Sequence, residues 1–94
     1  MNKYTCLNGQ EFDVDLLTKE EKVEIEKLQY IANEATDWAI FNNLWMNTVF
    51  NFYDSSSLTR PQIRQTALYR IGQDLSSRLA IFHGLALPPK EVKV

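Results

Sequence analysis

Trp38-Ala39-Ile40-Phe41-Asn42-Asn43-Leu44-Trp45-Met46-Asn47-Thr48-Val49-Phe50-Asn51-Phe52-Tyr53 is the stretch on which the fold turns. Trp38, Phe41, Trp45, Val49 and Phe52 recur at three- and four-residue steps, the period that lines up side chains on one helix face. Leu44 and Thr48 widen this stripe on one side, and Met46, Phe50 and Tyr53 on the other. The polar remainder, Asn43, Asn47, Asn51 and Asp54, is a narrow sector interrupted by Ile40. So apolar a helix, predicted over 38–53, belongs at the centre of its domain or beneath a partner. Asn42 is the exception, because its angle falls among Trp45, Val49 and Tyr53.

Working back from this helix, Thr36-Asp37 supplies its N-cap and leaves a very short connection to the element before it. Thr18-Lys19-Glu20-Glu21 is a capping box, in which Thr and Glu satisfy each other's free amides. It opens a helix predicted over 19–34, with Ile25, Leu28, Ile31, Ala32 and Ala35 at helical spacing. Earlier still, Asn8-Gly9 separates two strand-like runs, which predicts a β-hairpin over about 3–14 with a type I′ turn. That turn pairs Leu7 with Gln10, Thr5 with Phe12 and Lys3 with Val14. The inner face would then be Thr5, Leu7, Phe12 and Val14, and the outer face Tyr4, Cys6, Glu11 and Asp13.

Working forward, Asp54-Ser55-Ser56-Ser57 is a polar loop. Thr59 as cap, Pro61 in the first turn and Gln62 at the capping-box position open a third helix, predicted over 60–83. Ile63, Ala67, Leu68, Ile71, Leu75, Leu79 and Phe82 form its inner face. Gly84 ends it in a left-handed conformation, Leu85 packs back, and Pro88-Pro89 forbid continuation. Residues 86–94 are expected as an extended tail. Gly72 inside this helix costs about 1 kcal/mol relative to Ala, which predicts a close crossing by an aromatic ring.

The chain has 94 residues, 45% hydrophobic and 23% charged, enough for one domain with its own core. No apolar run approaches the roughly 18 residues of a membrane span, and no signal-peptide core stands near the N-terminus. Cys6 is the single cysteine, so no internal disulfide forms and a cytoplasmic address is expected. Charge is unevenly spread. Residues 1–54 carry four Lys against ten acids, whereas residues 55–94 carry four Arg and two Lys against two acids.

Little here points to catalysis. A nucleophile needs a base beside it, and Cys6 on the hairpin and His83 at a helix end have no reason to meet. The three glycines, Gly9, Gly72 and Gly84, are isolated, so no phosphate-binding loop exists. Neither catalytic residues, a metal site nor a cofactor is expected. Arg60, Arg64, Arg70 and Arg78 with Tyr69 permit nucleic-acid binding, but their helical angles spread widely. Asp74 can pair with Arg70 or Arg78 at four-residue spacing, and pairing of this basic helix with acids of the 19–34 helix or the hairpin is favoured. Leu79-Ala80 followed by Gly84 mimics the turn of a helix-turn-helix, yet the prolines that follow bar a recognition helix.

Asp37-Trp-Ala-Ile-Phe-Asn-Asn-Leu-Trp45, Phe52-Tyr-Asp54 and the run from Leu68 to Ala80 give residues 37–89 an overall pattern. It resembles a helical module that precedes the DNA-binding part of some bacterial regulators. The resemblance implies a helical, regulatory setting and transfers no functional residue; the DNA-binding part itself is expected to be absent.

The expected fold is therefore α+β and mainly helical: an N-terminal β-hairpin packed on an antiparallel three-helix bundle, one domain over 1–94. The expected function is a non-catalytic protein-interaction or regulatory module of a bacterial cytoplasm, its protein partner unidentified, self-associating as a homodimer and not bound to membrane. Its patch would be Trp38, Trp45, Phe50 and Tyr53, rimmed by Arg64, Arg70 and Arg78. The alternatives are a nucleic-acid-associated protein using the arginines, and a small-ligand protein or minor enzyme with Asn42 as polar anchor between Trp38, Trp45 and Tyr53.

Overall fold

The structure, a computed structural model, describes residues 2–85. Strands β1 (Lys3–Thr5) and β2 (Glu11–Asp13) form an antiparallel hairpin, followed by a 3-10 turn at Val14–Leu16. Helices α1 (Lys19–Glu34), α2 (Trp38–Phe52), α3 (Arg60–Ile63) and α4 (Ala67–Phe82) complete the chain. The protein is thus mainly helical with one small two-stranded sheet. No helix among the described residues is long and apolar enough to cross a membrane. The predicted tail lies outside the described residues.

The helix starts follow the sequence. Thr18 and Glu21 form a complete capping box, as do Thr59 and Gln62, and Asp37 Oδ1 accepts from the Ala39 amide. At the far end, Gly84 takes φ +75°, its amide donates to Ile81 O, and the Leu85 amide donates to Ala80 O. This is a Schellman ending. Leu85 does not pack back, however; it is exposed, and so is Phe82, which the periodicity had placed inside.

The predicted third helix is broken. Between α3 and α4, the Thr66 hydroxyl donates to Ile63 O at 2.6 Å and accepts from the Tyr69 amide at 3.2 Å. The side chain thereby closes one helix and caps the next, with Thr66 itself in an extended conformation (ψ 154°). The break lets Ile63 enter the core while Leu68 and Ile71 continue it from a new helix axis.

The hairpin differs from expectation by one residue. Tyr4 pairs with Phe12 and Thr5 with Glu11. The Gly9 amide donates to Cys6 O, and the Cys6 amide donates to Gln10 O. This is a three-residue loop with Gly9 at φ +93° and no positive φ at Asn8, so the type I′ turn is not formed. A slip of one residue turns a strand over. Tyr4 and Cys6 therefore face inward with Phe12, while Thr5 is exposed.

The core gathers Ile25 and Leu28 from α1, Phe41, Trp45 and Val49 from α2, Ile63 from α3, and Leu68, Ile71 and Leu79 from α4. Side chains of this kind contribute about 1.5–3 kcal/mol each when fully buried. Helix α4 packs along both α1 and α2, whereas α1 and α2 meet only sparsely. At the α2–α4 crossing, a Cβ on Gly72 would stand 2.7 Å from Trp45 Cε3, so the missing side chain is what lets the indole lie there.

Candidate functional site

Two concavities flank α2. The larger, a cleft of about 670 Å³, opens between the hairpin loop, α2 and α4. Its hairpin wall is fastened by one buried acid. Asp74 Oδ2 accepts from the Tyr4 hydroxyl at 2.6 Å and from Arg78 Nε at 2.7 Å, and Oδ1 accepts from the Leu7 amide at 2.8 Å. Arg78 Nη2 continues to Thr5 O at 2.8 Å. A buried carboxylate is costly without such partners, and here both oxygens are engaged. The network holds the loop against α4 and fixes the cleft's shape. Burial first, and then the bond to Asp74, pushes the Tyr4 phenol up; the Asp74 bond likewise raises Arg78. Burial raises the Cys6 thiol, away from the reactive thiolate.

The floor carries a second polar chain. Trp38 Nε1 donates to Ser76 Oγ and O at 3.0 Å, the Ser76 hydroxyl donates to Asn42 Oδ1 at 2.8 Å, and Trp45 Nε1 donates to the same oxygen at 3.0 Å. An indole N–H only donates, so the Asn42 atom it meets is the oxygen. The Asn42 amide is therefore turned the other way. Asn42 lines the cleft, and its Nδ2 has no hydrogen-bond partner among the described residues.

The residues expected to form one aromatic patch are dispersed. Trp45 is buried against Gly72 and packs edge-on to Tyr69 at 4.8 Å. Phe50 packs on Tyr69 from its other neighbour position and carries the Arg60 guanidinium at 4.5 Å and that of Arg64 at 5.9 Å. Tyr53 lies away from the cleft, its hydroxyl donating to Glu21 Oε2 at 2.6 Å. Burial acts to raise the Glu21 carboxyl, but the hydrogen bonds from Tyr53 and Thr18 outweigh it and leave it below the usual range. Trp38 and Asn42 do share the cleft, with Arg70 beside them and Tyr53 absent.

The arginines pair as expected only in part. Arg78 takes its acid one turn earlier on its own helix, and Arg70 donates to Gln65 Oε1 at 2.5 Å. Among the described residues no arginine bridges to an acid of the first half of the chain. Nor do three His, Cys, Asp or Glu side chains converge there as a metal site would require.

The smaller concavity, about 310 Å³, lies at the α1–α2 corner and includes Tyr30, Ile31, Glu34, Asp37, Ile40 and Leu44. Tyr30 and Ile40 are each 68% exposed and Leu44 38%. These, and not the aromatics of α2, are the apolar groups that α1 and α2 leave in water at this corner. No protein-family model matches the chain, and neither does a curated protein or a solved structure.

Proposed function

We propose that the chain is a non-catalytic interaction or regulatory module that self-associates through the α1–α2 corner. The observation that carries this is the cluster of Tyr30, Ile40 and Leu44 left exposed around an apolar groove. Groups of this size on a small protein favour a covered state, and a two-fold pairing is the commonest way to cover them. The charges flanking the groove suit such a pairing. Lys27, Tyr30 or Ile31, and Glu34 fall on one face of α1 at three- and four-residue steps. A two-fold axis between Tyr30 and Ile31 sets α1 antiparallel to its copy and brings Lys27 of one chain opposite Glu34 of the other. Among the described residues Lys27 pairs with Glu24 alone, with its own ammonium half exposed, so that pair holds it weakly.

The antiparallel three-helix packing of α1, α2 and α4 belongs to this reading as the rigid frame. So does a cytoplasmic address, which suits a lone, buried thiol. The likeness of residues 37–89 to modules of bacterial regulators supports the regulatory part. A nucleic-acid role is disfavoured by the engagement of Arg60 and Arg64 over Phe50 and of Arg78 with Asp74.

Sedimentation equilibrium of the full chain at micromolar concentration should give about twice the 10.9 kDa chain mass. Ile40→Lys should return it to the single-chain mass with the fold intact. A wild-type protein that stays at the single-chain mass as concentration rises contradicts the reading.

A further inference from the structure

We infer that the cleft between the hairpin loop, α2 and α4 is a binding site for a small organic acid with a planar apolar body. Its volume, about 670 Å³, falls in the range of small-molecule sites. The lining's one cation without an acidic partner among the described residues selects the ligand's charge. Asn42 Oδ1 takes two donors, Asp74 takes three and Asn8 Oδ1 takes the Gln10 amide, while the side chains of Gln10, Gln73 and Ser77 in the same lining are neutral and set no sign. Both indole N–H groups are likewise committed to the floor.

Asn42 Nδ2 has no partner among the described residues, and the Arg70 guanidinium, which lines the same cleft, has no acidic partner among them. Its bond to the neutral Gln65 leaves other guanidinium N–H groups to donate. Asp74 also lines the cleft, but Arg78 offsets its charge at 2.7 Å, so Arg70 sets the sign of the site. A site whose one unpaired charge is a guanidinium fits a carboxylate, which it can grip in a planar fork. The body of the ligand would lie on Trp38, Met46, Tyr69 and Ile81, the apolar part of the lining. Trp38 and Tyr69 are only half-buried, leaving ring surface to contact.

This site is separate from the α1–α2 corner, so its test is independent of self-association. The probes are phenylacetate and its neutral isostere phenylacetamide, titrated into the full-length protein and followed by the indole and side-chain amide N–H resonances. Phenylacetate should shift the Trp38 and Trp45 indole signals and the Asn42 side-chain amide saturably. It should bind about tenfold more tightly than phenylacetamide, the scale of one charge-assisted bond. Arg70→Gln, with an unchanged melting temperature, should make the two probes equal. The inference is overturned if neither probe shifts these signals at about 10 mM, the weak limit of specific binding. Equal binding of acid and amide to the wild type, or a preference that survives Arg70→Gln, overturns it as well.

Discussion

The hairpin–α4 seam and the α1–α2 corner treat their side chains in opposite ways. At the seam, a buried acid and an arginine meet a phenol, an amide and a carbonyl of the hairpin, and each polar group finds a partner within 2.6–2.8 Å. At the corner, Tyr30, Ile40 and Leu44 stand in water around a groove that no described residue fills. A lone two-stranded hairpin is marginal, so the seam must be satisfied for β1 and β2 to persist at all. The corner needs no such closure, because α1 and α2 are held mainly by α4. Internal completion therefore marks what stabilises the chain, and exposed apolar surface marks what the described residues leave uncovered.

The sharpest way to break the seam is Asp74→Ala. It strips the acceptor from Tyr4, Leu7 and Arg78 at once and should cost about 3 kcal/mol, read by chemical denaturation. By contrast, Ile40→Lys at the corner should change the stability of the single chain by no more than about 0.5 kcal/mol while removing self-association. Gly9→Val should lose about 1–2 kcal/mol, since φ +93° resists a β-branched side chain although nothing lies within 4 Å of its Cβ position. Gly72→Ala gains about 1 kcal/mol of helix propensity, but its Cβ meets the Trp45 ring, whose N–H is tied to Asn42. Overpacking against so fixed a ring should leave a net loss of about 1 kcal/mol.

The pH dependence of stability probes the seam together with the Tyr53–Glu21 contact. Tyr4 and Tyr53 have raised phenol pKa values, through burial first and then the adjoining carboxylates. An unfolded tyrosine ionises near pH 10, so their stabilisation is complete below that and falls as pH rises toward the folded values. Glu21 has the opposite sign: its contribution is present above about pH 4.3 and is lost on acidification through its lowered pKa. A stability–pH curve of Tyr4→Phe should lose part of the alkaline decline, and one of Tyr53→Phe should lose part of both declines.

Much of this was legible in the sequence where the interaction is local. The capping boxes, the Asp37 cap and the Gly84 ending involve residues two to five apart, and each reads directly from residue type. Gly72 signalled its crossing because a mid-helix glycine is costly without a reason. Asn42 signalled a polar contact by standing on an apolar face, although its partner Ser76, 34 residues on, carried no mark of its own. The hairpin slip was not legible, because Asn-Gly permits both a two-residue and a three-residue loop; burial of Tyr4 onto Asp74, 70 residues away, goes with the second. The break at Thr66 was hidden by continuous helical periodicity, and Asp74 looked like an ordinary i,i+4 partner for Arg78. The aromatic stripe of α2 misled for a related reason: composition shows that an apolar surplus exists but not which side of the helix α4 covers.

The proposed two-fold pairing of α1 is tested most directly by charge reversal at its two ends, with solution mass as the readout. Lys27→Glu alone and Glu34→Lys alone each set like charges together and should shift the protein toward the single-chain mass of 10.9 kDa. The double variant Lys27→Glu/Glu34→Lys restores opposite charges across the axis and should recover the paired mass, and the recovery should weaken with added salt. A double variant no more associated than either single one would contradict the pairing.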